Sequence, residues 1–369
     1  NGDCGDPARY SCSGEAGSAL TCKKRVLQVA LGSAHACAIA APGELYCWGN
    51  NELGQVGAGS TIAMVMSSPL RIGKDTDWTH VSAAGDQTCG IRAGAIYCWG
   101  DNYFGQLGDG TTEDRSAPVR AGSESDWQSV AVGATHVCGI RRGELHCWGD
   151  NGLMQLGDGS TTDHSTPTRV GMDADHRQVA CGDGTTCSIR GQELYCWGEN
   201  TVGQLGTADT MPRGKPTTLG PDKRWTQVSA ALFYACGLRS GELYCWGDNE
   251  FGQLGSGTNA SSNVPARAGM DSDWSDIRVS ETSVCGLRKQ ALYCWGENET
   301  ARLGVSSDAA NNQPARVGSE SDWDFIAVAD EAICGIRAGQ LFCWGASIEG
   351  QLGDGSMMNR DEPTRVELK

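Results

Sequence analysis

The residues of this 369-residue chain with the most chemistry in them are its 18 cysteines and 6 histidines. Zinc sites need thiolates and imidazoles at close, regular spacing. No C-x-x-C pair occurs in the chain, so disulfides, and with them an oxidising compartment, are the expected use. Fourteen cysteines fall into seven couples: Cys37 and Cys47, Cys89 and Cys98, Cys138 and Cys147, Cys187 and Cys196, Cys236 and Cys245, Cys285 and Cys294, Cys334 and Cys343. The second member of each couple opens a Cys-Trp-Gly tripeptide, and these tripeptides step by 51 residues once and by 49 thereafter. The chain is therefore seven copies of one unit. Cys4, Cys12, Cys22 and Cys181 fall outside the pattern. Their pairing stays open, and they are expected to staple an N-terminal extension, residues 1–24, to the remainder, 25–369.

The elements that position the couples follow from turn chemistry. Between Cys89 and Cys98 the chain reads Gly-Ile-Arg-Ala-Gly-Ala-Ile-Tyr, a hairpin around Ala93-Gly94 in which glycine supplies positive φ. Counting out from the turn sets Cys89 opposite Cys98 at a non-hydrogen-bonded site, where facing Cα atoms are closest and a disulfide is within reach. The first copy has one extra residue, Ala41-Pro42-Gly43, and its cysteines still face each other. Ile96 and Cys98 lie on one face of the strand and Tyr97 and Trp99 on the other, so the sheet must be covered on both sides. Seven small sheets arranged radially meet that demand. The fold expected is all-β, a seven-bladed β-propeller with four-stranded antiparallel blades. Connection lengths suggest that the long loop after each Cys-Trp-Gly crosses between blades. On that phase the C-terminal strand beginning at Pro363 closes the ring by pairing in the first blade.

Composition removes several functions. A formal charge of -16 disfavours a nucleic-acid partner. No apolar run is long enough for a membrane-spanning helix. The polar N-terminus has no signal-peptide core and reads as a trimmed chain. Gly-Asp-Gly and Gly-Asp-Asn stretches lack the calcium-loop spacing D-x-D-x-D-G and are read as turns, so no metal is expected. No serine, cysteine or carboxylate is regularly spaced from the histidines. A binding protein with no cofactor is expected, and not an enzyme.

Other recurrent residues read as structural. The Cys-Trp-Gly tryptophans, and Trp78, Trp127, Trp225, Trp274 and Trp323, occupy fixed strand positions suited to packing. Arg92, Arg141, Arg190, Arg239, Arg288 and Arg337 form one ring of cations, and Arg71, Arg120, Arg169, Arg267, Arg316 and Arg365 a second. Six residues beyond members of the second ring stand Asp77, Asp126, Asp175, Asp273 and Asp322, and the fourth copy replaces both partners, by Thr218 and Arg224. Arg–Asp pairs between these two sets are expected.

Function is sought where the copies disagree. The turn before each hairpin reads SAH, GDQ, ATH, DGT, LFY, ETS and DEA, and these turns should ring one face of the disc. Leu232, Phe233 and Tyr234 suit a protein-binding anchor, with His35, Gln87, His136, Glu281 and Glu331 as the corresponding candidates on other blades. The apolar stretch Ile62-Ala-Met-Val-Met66 is a second variable patch.

The segments GELYCWGNNELGQVGAG from Gly43 and GELYCWGDNEFGQLGSG from Gly241 closely resemble the repeats of the regulator of chromosome condensation (RCC1) family, over residues from about 25 to 369. The resemblance implies a seven-bladed propeller. Members include an exchange factor for a small GTPase, a plant ultraviolet receptor and a secreted bacterial β-lactamase inhibitor, so a scaffold is shared and an activity is not. The paired cysteines and acidic charge look most like secreted or envelope propellers of bacteria. A monomer that presents variable loops to a protein partner, with an inhibitory role in view, is expected; a carbohydrate-binding or structural envelope module is the alternative.

Overall fold

The computed structural model describes residues 9–13, 21–298, 302–305 and 310–369. Every regular element among them is a β-strand, in seven four-stranded sheets and one two-stranded hairpin. Blade two shows the pattern: Trp78–Ala84, Gln87–Arg92, Ala95–Gly100 and Arg115–Arg120, each antiparallel to the next. The first strands line a central channel, and the fourth strands form the rim.

The hairpin register is the one derived from the turn. Cys89 faces Cys98 and Ile91 faces Ile96. All seven couples are disulfides, with Cα atoms 4.0 Å apart in Cys37–Cys47 and 4.1 Å apart in the other six. The disulfide face of each blade packs on the tryptophan face of the next. Cys37, Ile39, Leu45 and Cys47 of blade one meet Trp78, Val81 and Trp99 of blade two. The Trp99 indole donates to the carbonyl of Gln55 at 2.9 Å, and the bond recurs from Trp148 to Gln106 and from Trp48 to Gln351. Gly57, at φ +80°, lies against the Trp99 ring, and a Cβ there would come within 2.8 Å of the indole nitrogen. Glycine at this place lets one blade's loop close on the next blade's tryptophan.

The blade phase differs from the one expected. Each proline strand pairs with the Cys-Trp-Gly strand before it, Arg120 opposite Tyr97 and Val119 opposite Cys98. The long loop therefore stays within its blade. It turns back on one buried asparagine: Asn102 accepts from Leu107 N–H at 2.9 Å and donates to the carbonyls of Glu113 at 2.9 Å and Thr111 at 3.2 Å. Residue count measured the length of this loop and not its span. The short link from proline strand to tryptophan strand is the crossing between blades, held by the Trp127 N–H on the Gly94 carbonyl at 2.9 Å.

Ring closure changes accordingly. The C-terminal strand Arg360–Val366 pairs with Gln340–Gly345 of blade seven and not in blade one. Blade one consists of Val26–Leu31, His35–Ala40, Glu44–Asn50 and its own fourth strand Val65–Arg71. The seam uses the ordinary inter-blade bond, Val26 N–H to the Gly339 carbonyl at 2.9 Å.

The N-terminal hairpin, Tyr10–Ser13 with Thr21–Lys24, leads directly into blade one, and its backbone sets Cys12 opposite Cys22. Lys24 stands 2.8 Å from Glu44 and lies over the Tyr46 ring. Blade one has Ala40 where other blades carry the hairpin arginine, so Lys24 supplies the cation. Cys4 lies outside the described residues. Cys181 is a free thiol beside the channel, so it does not staple the N-terminal segment.

Candidate functional site

The antiparallel blades give the disc two unlike faces. One, the loop face, carries the turns between first and second strands and the long loops between third and fourth. The other, the hairpin face, carries the Ala-Gly type turns and the links between blades.

On the hairpin face acids and arginines are matched. The Arg141 guanidinium contacts Asp126 at 2.8 Å, Arg288 contacts Asp273 at 2.7 Å and Arg337 contacts Asp322 at 3.3 Å. Arg92 binds both Asp75 and Asp77. The acids thus belong to the first ring of arginines and not, as expected, to the second. Arg71, Arg169 and Arg267 turn to Glu44 at 3.1 Å, Glu144 at 2.9 Å and Glu242 at 3.1 Å. In the fourth copy, where Arg224 stands in the acid's place, Asp222 pairs with Arg239 just as Asp75, Asp173 and Asp271 pair with Arg92, Arg190 and Arg288. The error lay in the partner strand: the link acids sit beside the second strand's end.

On the loop face the first turns carry Asp86, Asp183, Glu281, Asp330 and Glu331 and no lysine or arginine. None of these five acids has an ion-pair partner among the described residues. Glu199 follows closely, its N–H on the Gly184 carbonyl at 2.9 Å, and Asp248 does the same on Phe233 at 2.9 Å. Burial, and then neighbouring Asp150 and Glu199, hold the Asp183 carboxyl above the usual carboxylate range. Glu281 is raised by burial and by Asp330 and Asp183, and Asp86 by burial and by Asp101 and Glu52. Burial and like charge together keep these carboxyls raised, with Arg302 acting the other way on Glu281 and Asp330.

Asp183, Glu281, Asp330 and Leu232 border a cavity of about 270 Å³ at the channel mouth, above one of about 490 Å³ lined by the first strands. Arg278 reaches both, from a position held by alanine or serine in the other blades, and pairs with Asp276 at 3.3 Å. Aligning the repeats would have exposed that substitution. Arg302 likewise stands where the other repeats have glutamine. It is buried, and binds Glu297, Thr282 and the Asp330 carbonyl. The Trp344 indole, facing this junction, has no hydrogen-bond partner among the described residues.

The expected contact residues divide into two sets. Tyr234, His35, Gln87 and His136 are buried and lie beneath the surface of the loop face. Each reaches the next blade: the Tyr234 hydroxyl donates to the Ser283 carbonyl at 2.8 Å, and Gln87 to that of Gly133 at 2.9 Å. His35 lies 2.7 Å from Thr88 Oγ1 and His136 2.8 Å from Thr186 Oγ1. Burial lowers their imidazoles to about 3 and about 4, so both are neutral. These four tie blades together. Leu232, Phe233, Glu281 and Glu331 do reach the surface of the loop face, Phe233 with 40 % of its area exposed. Around them lie half-exposed apolar residues that sequence reading missed, among them Tyr103, Leu153, Val202 and Ile348. Each is the first or second residue after the asparagine or serine that recurs in every repeat, Asn102, Asn151, Asn200 or Ser347, which is the signal that was available. In the second patch Ile62 is 93 % exposed, while the Met64 carbonyl accepts from Asn51 N–H.

His136, Cys138 and Cys181 bring possible metal-ligand atoms within 4.8 Å of one another. Cys138 is committed to its disulfide, which removes the thiolate such a site would need. The acids of the Gly-Asp-Gly loops are occupied too: Asp109 binds Arg115 at 2.8 Å and Asp354 binds Arg360 at 2.6 Å.

Fold and surface together define a disulfide-framed propeller with one charge-matched face and one acidic face. The profile of the regulator of chromosome condensation (RCC1) repeat matches residues 42–91, 93–140, 142–189, 192–238, 240–287 and 338–369. The chain belongs to that repeat family. A second profile of the same description matches 26–55, 177–204 and 225–253. Curated relatives include human "Probable E3 ubiquitin-protein ligase HERC4", 36% identical over 97 residues, which is 25% of this chain and 9% of that protein. Human "E3 ubiquitin-protein ligase HERC2" is 32% identical over 93 residues, 24% of this chain and 2% of that protein. The chain thus spans only a small part of these relatives. Human WBSCR16 superposes with a TM-score of 0.80 at 21% identity, covering 88% of this chain and 95% of that one. Prp20p from Saccharomyces cerevisiae, a structure described together with its binding to Gsp1p and histones, superposes at 0.79 and 18% identity, covering 100% of this chain and 90% of that one. At such identity the likeness shows the fold alone.

Proposed function

We propose that this protein is a secreted or cell-envelope binding module whose loop face engages a protein partner. The observation that carries the reading is the contrast between a repeated frame and unrepeated turns. Strands, disulfides and tryptophans recur blade by blade, while the turns around the channel mouth read SAH, GDQ, ATH, DGT, LFY, ETS and DEA. A rigid disc with variable, surface-reaching loops is a scaffold for recognition. Seven disulfides favour an oxidising compartment. Binding is preferred over catalysis because the two turn histidines are neutral, buried and occupied with the next blade. The exposed Phe233 and adjoining Leu232 supply the apolar anchor such an interface needs. Covering a partner's active surface would make the module inhibitory.

Affinity capture from the native extracellular fraction tests this, comparing the wild type with Leu232→Ala/Phe233→Ala and with Met172→Ala on the hairpin face. A protein retained by the wild type and Met172→Ala and lost by the double variant is the expected result. Retention of every captured protein by the double variant, or capture of glycans alone, overturns the reading.

A further inference from the structure

The two faces treat the chain's acidity differently, and that difference names the partner's chemistry. Hairpin-face acids are spent on arginines. Around the channel mouth Asp183, Glu281 and Asp330 border the cavity, and the nearest cations, Arg302 and Arg278, are already committed to Glu297 and Asp276. Apolar groups lie among these acids. Leu232 lines the mouth, Phe233 is 40 % exposed and Val202 36 %. The Phe233 carbonyl accepts from Asp248 N–H at 2.9 Å, so the two residues are neighbours on this face. The mouth thus sets apolar groups and acids without ion-pair partners among the described residues around a hollow of about 270 Å³.

We propose that the loop face docks a basic segment of a partner protein, in which lysines or arginines flank an apolar side chain. The apolar side chain packs on Leu232 and Phe233. The flanking cations meet Asp183, Glu281 and Asp330 at the mouth. Burial, and after it the neighbouring acids, raises the Asp183 and Glu281 carboxyls in the free protein, and an arriving cation offsets the like-charge part of that shift. A nucleic acid or an acidic protein surface would add to the repulsion. This inference rests on the reading of the loop face as the binding face.

The probes are three synthetic twelve-residue peptides with one central phenylalanine, flanked by lysines, by glutamines or by glutamates. Titration calorimetry measures each against the full chain. The lysine peptide should bind, weakening as sodium chloride rises past the point where the Debye length falls below about 10 Å; the glutamine and glutamate peptides should not. Asp183→Asn/Glu281→Gln/Asp330→Asn should weaken binding by roughly tenfold or more, and Leu232→Ser/Phe233→Ser should weaken it at constant charge. Glu320→Gln/Asp322→Asn, which removes the same sign of charge from the hairpin face, should change affinity by no more than about twofold. Equal losses from the two charge variants, or equal binding of the glutamine peptide, overturn the proposal. Circular dichroism and non-reducing peptide mapping establish that each variant is folded. If a captured partner is lost by Leu232→Ala/Phe233→Ala yet held unchanged by the charge variant, the binding-module reading survives and the basic-segment proposal fails. If the double variant keeps every partner, both fail.

Discussion

On the hairpin face an aspartate such as Asp126 sits 2.8 Å from Arg141, and on the loop face Asp183 has the acids Asp150, Glu199 and Glu281 for charged neighbours. The same residue type is held below its usual pKa in one place and above it in the other. Exposed pairs such as those of the hairpin face stabilise by only about 0–1 kcal/mol each. Their larger effect is on the field: they match acids on the hairpin face, while the acids of the first turns on the other face have no ion-pair partner among the described residues.

The largest perturbation acts on the frame beneath both faces. Trp148 is fully buried and donates to Gln106. Trp148→Ala should cost about 3–5 kcal/mol of stability, read from guanidinium unfolding. Both faces should lose order together, and a variant that loses one face alone would break the picture of a single rigid disc.

Next comes acid. His35 and His136 have pKa values of about 3 and about 4 in the folded chain against 6.5 in a free imidazole. Unfolded chains take up protons below pH 6.5 that these sites refuse, so stability falls as pH drops from there toward 4. His136→Gln, the residue type found at Gln87 of blade two, should shift the acid-unfolding midpoint to lower pH. An unchanged midpoint would mean that His136 is not held neutral by burial between blades.

A smaller effect separates the faces by sign. Loop-face carboxyls with raised pKa values bind protons in the folded chain first, so they add stability as pH falls toward the usual carboxylate range. Hairpin-face acids are the reverse: Asp126, lowered by its bond to Arg141, and Asp273, lowered by its bond to Lys289, give stability that is lost as pH falls through their folded pKa values. At pH 7 Asp183→Asn should therefore raise the melting temperature slightly and Asp126→Asn lower it slightly. Equal signs would erase the distinction. The smallest signal is chemical: burial raises the Cys181 thiol, so its peptide should be alkylated only after unfolding, and rapid labelling in the native state would contradict that placement.

Much of the fold was legible because its rules are local. Ala93-Gly94 sets the turn, the turn sets Cys89 against Cys98, and alternation puts Trp99 on the opposite face. The blade phase was not legible, because Asn102 folds fourteen or so loop residues back on themselves in a way that length conceals. The site was half legible for a related reason. Phe233 and Tyr234 are neighbours in one turn, yet only Tyr234 finds a buried carbonyl, Ser283 of the next blade, and turns inward. Which residue of a variable turn faces out is decided by the adjoining blade. The net charge was plain in the composition, but its division between faces depended on which strand end lies beside each link acid.

Hydrogen exchange of the propeller, alone and with its captured partner, tests the central claim most directly. The account predicts protection at the first turns, 231–233, 280–282 and 329–331, with none at the hairpin turns 142–143 and 338–339. Protection confined to the hairpin turns, or spread evenly over both faces, would contradict it.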